Sequence, residues 1–192
     1  MFNRLLALTV IGVLATAGAA RSTTVIPPSF DALVSDAGTI FVGEVMNIRS
    51  DWEATPRGRA IITLVTFRVE GVWKGHLGVV TQLEFLGGTI GEIGMRVEGM
   101  PTFRLGQRDV LFVSTETHSV SPLVGFMHGR MRVERDTVSG VDRVRTYDGR
   151  ALGSVAQLGP QRAAPSLTSI TPMRLSDLEA AVRSRLSAAR QR

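Results

Sequence analysis

Alternating apolar and polar residues in the middle of the chain predict β-strands. The clearest run extends from Ala60 to Lys74, where Val65, Phe67 and Val69 are separated by polar residues. Because successive side chains of a strand point to opposite faces of its sheet, this apolar set is predicted to face a core. The segment Thr81–Leu86 repeats the same alternation.

Further segments extend the strand pattern. Thr39–Arg49 and Val110–Ser114 are rich in apolar residues on both faces, as is typical of central strands. Arg130–Val138 and Val141–Tyr147 flank Ser139-Gly140 and predict a hairpin. The pattern predicts an all-β fold of six or seven antiparallel strands with short connections. We expect the sheet to close into a small barrel, or to form a sandwich, because closure removes exposed strand edges.

Two helices are predicted, one on each side of the strands. Ser29 is a suitable N-cap for a short helix that ends at Ala37, with Gly38 as its stop signal. Near the other end, Ser176-Asp177-Leu178-Glu179 has the form of a capping box that starts an amphipathic helix. We expect this helix to dock on the strands through its apolar stripe, which consists of Leu175, Leu178, Val182 and Leu186.

The first 20 residues have the layout of a secretory signal peptide. Arg4 precedes an apolar run from Leu5 to Ala15, and small residues follow, among them Ala19 and Ala20. A membrane span needs about 20 apolar residues, more than this run provides. We therefore expect cleavage after Ala19 or Ala20, export to the periplasm or the extracellular space, and no stable membrane insertion of the mature chain. An uncleaved anchor is the alternative.

Composition divides the rest of the chain into a β-domain, a linker and a terminal helix. Residues 21–149 carry the predicted β-domain, residues 150–172 are a linker rich in Ser, Thr, Gly and Pro, and residues 173–192 form the terminal helix.

The chain has 22 basic and 17 acidic residues, a net charge of +5, and no cysteine. Burial and strand pairing must therefore stabilise it without disulfides. The small charge excess and the predicted export both argue against a nucleic-acid partner.

Catalytic motifs are lacking, so no catalytic residue, cofactor or metal site is predicted. Glu44 would acquire a raised pKa on an apolar face, unless a bulge at Gly43 turned it outward. His118 and His128 provide too few ligands for zinc, and His76 is expected in a turn. The glycine-rich segment 87–94 is followed by no helix pattern, which favours a corner in the sheet over a phosphate loop.

The predicted hairpin carries the strongest candidate site. Alternation places four arginines and a tyrosine on one solvent face: Arg130, Arg132, Arg143, Arg145 and Tyr147. Guanidinium groups bind sulfate, phosphate or carboxylate in a bidentate manner. The hairpin is therefore a candidate anion-binding site, with an anionic glycan or extracellular polymer as its ligand. A solvated strand face balanced by nearby acidic residues is the ordinary alternative.

Three glycine-containing segments carry a resemblance to a group of uncharacterised exported bacterial proteins. These segments are Val65-Thr66-Phe67-Arg68-Val69-Glu70-Gly71-Val72-Trp73-Lys74-Gly75, Leu86-Gly87-Gly88, and Val97-Glu98-Gly99-Met100-Pro101-Thr102-Phe103 with Gly106. The resemblance covers roughly residues 30–148 and implies the OB-type barrel of netrin-like modules and metalloproteinase inhibitors. Those inhibitors act through an amino-terminal cysteine, and this chain has none. The resemblance therefore implies a fold and an export route without an activity.

The sequence thus predicts an exported, non-enzymatic binding module. By kinship, its expected partner is another exported protein, such as a protease. An anion- or glycan-binding barrel that uses the arginine hairpin is one alternative. An enzyme of unknown chemistry, centred on Glu44 or the histidines, is another. An enzyme should show a pocket with at least two converging polar groups.

Overall fold

The protein is described by a computed structural model that covers residues 26–55, 58–115, 120–160 and 170–191. The predicted signal peptide and its cleavage site lie outside the described residues, as do Glu116 and His118. None of the helices in the described ranges combines the length and apolar character needed to cross a membrane.

Eight strands and two α-helices are described. The helices are α1 (Phe30–Asp36) and α2 (Leu175–Arg190). The strands are β1 (Ala37–Thr55), β2 (Gly58–Lys74), β3 (Val80–Leu86), β4 (Gly88–Ile90), β5 (Ile93–Met95), β6 (Arg108–Ser114), β7 (Arg130–Arg135) and β8 (Asp142–Thr146). The predicted strands at Ala60–Lys74, Thr81–Leu86 and Val110–Ser114 are confirmed as β2, β3 and β6.

Six strands form one antiparallel sheet in the order β3-β2-β1-β6-β7-β8, and β4 pairs with β5 in a small separate hairpin. The all-β prediction is confirmed at this level. The sheet is open, because β3 and β8 do not pair with each other, and closure into a barrel is not confirmed. The free edge of β8 is instead occupied locally: the Val144 N–H donates to the Met173 carbonyl at 3.0 Å, and the Leu152 N–H donates to the Val144 carbonyl at 3.4 Å.

Both faces of the sheet are covered. A helix-side core joins α1 and α2 to one face, and its buried members include Leu33, Val42, Phe112, Leu178 and Val182. An aromatic core covers the other face, and its members include Phe41, Phe67, Phe85, Leu111 and the partly buried Phe103. Consecutive residues of β6 enter opposite cores, which explains why its sequence is apolar throughout.

The helix boundaries differ slightly from those predicted. Ser29 caps α1 by accepting a hydrogen bond from the Ala32 N–H at 3.2 Å, as expected. The helix ends at Asp36 and not at Ala37, because Ala37 already pairs with Ser114 in the sheet. The capping-box prediction for α2 is wrong. The N-cap is Arg174, whose backbone forms a bridge to Arg143 and so starts the helix before Ser176.

The terminal helix docks on the sheet as predicted. Leu178 and Val182 are fully buried, and Leu175 and Leu186 pack at the margin of the same core. The described part of the predicted linker is also attached to the sheet. Leu152 is buried in the helix-side core, and Ser154 caps a short 3₁₀ turn at Val155–Gln157.

The glycine-rich segment forms a corner that ties the β4–β5 hairpin to β1 and β2. The Thr63 hydroxyl donates to the Gly87 carbonyl at 2.6 Å, and Ser50 Oγ accepts from the Thr89 N–H at 3.3 Å. Gly88 lies between these two hydroxyl groups with φ +145°, a conformation that side chains rarely adopt. A Cβ on Gly88 would lie 2.4 Å from Thr63 Oγ1 and 2.5 Å from Ser50 Oγ.

Gly88→Ala is expected to destabilise the fold by about 1 to 3 kcal/mol, because it adds a strained φ and breaks the contact between the hairpin and β1. Urea unfolding followed by circular dichroism would measure the loss. Gly94→Ala in the same hairpin is the control, since its new Cβ would meet nothing closer than Thr89 Oγ1 at 3.7 Å. Equal stability of the two variants would contradict this account of Gly88.

Candidate anion-binding groove

A groove of about 810 Å³ lies along the aromatic-core face of the sheet. One side consists of the glycine-rich corner and residues 95–103. The other side is formed by Arg130, Arg132 and Tyr147 from the β7–β8 hairpin. The groove therefore brings together three of the five residues of the predicted anion site. It also brings in a loop that sequence reasoning did not assign to that site.

Arg130 is buried, so its predicted place on a solvent face is wrong. Its side chain is 1% exposed, and its Nε donates to Asp109 Oδ1 at 2.9 Å. Its Nη1 donates to the Thr102 carbonyl, and its Cζ lies 4.4 Å from the centre of the Phe103 ring. The alternation correctly placed Arg130 on the face of Arg132. The loop that carries Thr102 and Phe103 then covers that face at the start of β7.

Burial dominates the electrostatics of this ion pair. Burial raises the pKa of the Asp109 carboxyl, and the charge of Arg130 opposes that rise. Burial likewise lowers the pKa of Arg130, which stays cationic because guanidinium is so weakly acidic. Within the described part of the chain, Asp109 Oδ2 and Arg130 Nη2 are buried without a hydrogen-bond partner.

Removing either partner should leave an uncompensated charge inside the protein. We expect Arg130→Met or Asp109→Leu to lower the free energy of unfolding by about 3 to 5 kcal/mol. The double variant should lose less than the sum of the two single losses, because it removes both charges of the pair together. Urea unfolding of all four proteins measures this coupling.

The matched control for the buried pair is Glu179→Ala, which breaks the exposed pair between Glu179 and Arg183 on α2. This variant should shift the unfolding midpoint far less. An unchanged midpoint in Arg130→Met, or strictly additive losses in the double variant, would show that the buried pair does not stabilise the fold.

Arg132 differs from the other arginines of the hairpin. It stands opposite Asp109 on β6 and opposite Arg145 on β8. It is half-buried in the groove wall, and its Nε is buried without a hydrogen-bond partner among the described residues. Its guanidinium makes no hydrogen bond or ion pair with any residue in the described ranges. Its charge helps to hold down the pKa of Asp109, but its guanidinium N–H groups are not engaged by a hydrogen-bond acceptor among the described residues.

Arg143 and Arg145 have structural partners. Arg145 Nε lies 2.5 Å from Glu134 Oε2, and its Nη1 donates to the Gly149 carbonyl at 3.2 Å. Arg143 Nη1 donates to the Pro172 carbonyl at 2.9 Å, next to the chain that leads into α2. The structure thus places Arg145 and Arg132 side by side, as predicted. The guanidinium groups of Arg145 and Arg143, however, already form hydrogen bonds with other residues of the protein.

Tyr147 separates the groove from a smaller cavity of about 300 Å³ and lines both. The edge of its ring meets His128 with 5.0 Å between the ring centres. Burial lowers the pKa of His128 below its ordinary value of 6.5, and the charge of Asp148 partly opposes this shift. His128 is therefore held neutral beside Tyr147 at neutral pH.

A histidine whose pKa is lowered by folding stabilises the protein above its ordinary pKa, and this stabilisation is lost as the pH falls through the folded-state value. The free energy of unfolding should thus decrease below about pH 6.5 through His128. His128→Asn should reduce that decrease in urea unfolding measured between pH 7 and pH 5. His76→Asn, at an exposed position before β3, is the control. An equal effect of both substitutions would refute the assignment.

The other candidates from the sequence do not converge on a site. Glu44 forms an ion pair with Arg68 across β1 and β2, next to a bulge at Val42/Gly43. The Gly87 N–H is already used, because it donates to the Ile61 carbonyl at 2.7 Å. In the described ranges, no group of three or more His, Cys, Asp or Glu residues is arranged to hold a metal ion.

The chain has no significant match to a family model, a curated protein or a solved structure. The resemblance to netrin-like modules therefore stays a prediction. Sequence reasoning missed Asp109, Thr102 and Phe103 as parts of the site. Thr102 and Phe103 fall within the segments that carry the resemblance, but the role of Asp109 follows only from strand pairing.

Proposed function

We propose that this chain is an exported binding module whose groove takes an anionic ligand, with Arg132 as the principal contact. The observation that carries the proposal is the guanidinium of Arg132, which is half-buried in the groove wall and has no hydrogen bond to any described residue. Arginine presents its donors in a planar fork that matches carboxylate, phosphate and sulfate groups.

The charge balance around Arg132 supports this proposal. Arg130 and Arg132 lie close to one buried carboxylate, that of Asp109. These two guanidinium groups and one carboxylate leave one positive charge in excess, and the neighbouring carboxylate of Asp148 is already paired with Arg150. A partly buried charge is costly without a counter-charge. An anion in the groove would supply that counter-charge, and Tyr147 adds a phenol at the same wall.

The lining of the groove can be compared with what an enzyme or a protein-binding module would need. It has converging polar groups, which is the feature expected of an enzyme. At the hairpin wall these groups are a permanently charged guanidinium and a phenol, which favour holding an anion over transferring a proton at neutral pH. Two carboxylates, Glu98 and Asp148, also line the groove, and Asp148 is paired with Arg150. An exported protein remains part of the proposal as a partner, because it could present a carboxylate to the groove. The export route and the netrin-like barrel rest on the sequence pattern alone.

Phosphate, sulfate, acetate or a sulfated disaccharide, added at constant ionic strength, is expected to raise the thermal unfolding midpoint by a few degrees. A ligand that binds only the folded state stabilises it, by about 2.7 kcal/mol at 100 times its dissociation constant. Arg132→Gln should abolish the rise. Differential scanning fluorimetry measures the midpoint for each anion.

The matched control is Arg135→Gln, which removes the same charge from the same hairpin. Arg135 is exposed and lies on the opposite face, beside Asp142. This variant should keep the response to the anion. The proposed function is wrong if none of the anions stabilises the unmodified chain, or if both variants lose the response equally.

A further inference from the structure

The apolar lining of the groove restricts the kind of anion that would fit it. Three of the seven methionines of the chain, Met95, Met100 and Met127, line the groove together with Phe85 and Phe103. Methionine side chains are flexible and polarisable, and they adapt to apolar ligands. A small inorganic anion would leave most of this surface without a contact.

The charged and apolar parts of the groove meet at Phe103. The ring of Phe103 lies under the guanidinium of Arg130 at 4.4 Å. Its centre is also 5.0 Å from the ring of Phe85 and 5.5 Å from that of Phe67. Arg130 therefore adjoins the apolar wall of the groove at the partly buried Phe103, behind which the rings of Phe67 and Phe85 are buried. This arrangement suits a ligand that carries its charge at one end and an apolar body at the other.

The acidic residues of the groove limit the charge of the ligand. Glu98 and Asp148 line the groove together with the three arginines Arg96, Arg130 and Arg132. Asp109 already offsets the charge of Arg130. A polyanion laid along the groove would meet these carboxylates and be repelled. A ligand with a single negative group avoids this repulsion.

We infer that the groove binds a small anionic amphiphile, with a carboxylate or phosphate head at Arg132 and an unbranched apolar chain along Phe103 and the methionines. This inference rests on the proposed function, because it assigns the anion to the same guanidinium. A volume of about 810 Å³ is within the range of small-molecule sites and leaves room for a chain of ten carbons.

Isothermal titration calorimetry of the purified chain tests the inference, with all ligands kept below their micellar concentrations. The carboxylate series is acetate, hexanoate, octanoate and decanoate. Comparing decyl phosphate with decanoate, and inorganic phosphate with acetate, identifies the preferred head group. Decanol carries the same apolar chain without a charge. We expect the affinity to rise about fourfold per methylene along the carboxylate series. Decanol should bind at least tenfold more weakly than decanoate.

Two pairs of variants separate the head from the chain. Arg132→Gln should weaken the binding of decanoate at least tenfold. Arg132→Lys keeps the positive charge and should therefore retain part of the affinity. Met95→Gln should weaken decanoate but not acetate. Met46→Gln, at an exposed position that does not line the groove, should leave both unchanged. Thermal unfolding of each variant verifies that it is folded.

The outcomes distinguish the inference from the proposed function. If acetate or phosphate binds through Arg132 and chain length adds nothing, the inference is wrong and the proposed function stands. If no anion binds, both are wrong. If decanol binds as tightly as decanoate and Arg132→Gln has no effect, the groove is an apolar site without an anion contact, and both are again wrong.

Discussion

The buried guanidinium of Arg130 is the contact on which the groove depends. It joins β7 to β6 through Asp109, and it holds the loop of Thr102 and Phe103 against the sheet. With that loop in place, Phe103 extends the aromatic core and forms the wall of the groove. An ion pair of this kind is costly to bury. The hydrogen bond to the Thr102 carbonyl and the contact with the Phe103 ring offset part of that cost.

The same arginine chemistry serves a different purpose on the other face of the sheet. Arg108 binds Glu70 with Nε and Nη2, at 3.0 and 2.7 Å, and Asp142 with Nη1 at 2.9 Å. These hydrogen bonds raise the pKa of Arg108 and link β2, β6 and β8. Arg108 is thus saturated, whereas Arg132 has no such partner among the described residues. This contrast is the reason for proposing Arg132 as the ligand contact.

The predicted barrel is not confirmed, because the hydrophobic pattern predicts strands but not whether their sheet closes. Alternation identified the strand segments, because burial on one face repeats every second residue, whereas the order of the strands follows only from their pairing. Closure depends on what occupies the outer edge of β8. Here that edge is occupied by Leu152 and Met173, which form hydrogen bonds with Val144. The sequence predicts Leu152 to lie in a linker and Met173 at the start of the terminal helix. These two contacts join residues 8 and 29 positions apart and leave no periodic signal in the sequence.

The sequence by itself determined the strand segments, the docking stripe of the terminal helix and the shared face of Arg130, Arg132 and Arg145. These depend on local periodicity, which one chain displays in full. Only the tertiary structure decided which arginine is buried, which is paired and which has no hydrogen-bond partner among the described residues. That outcome depends on Asp109, Phe103 and Gly149, which are brought to the hairpin by strand pairing and loop packing. Four arginines that look equivalent in sequence therefore have different environments in the fold.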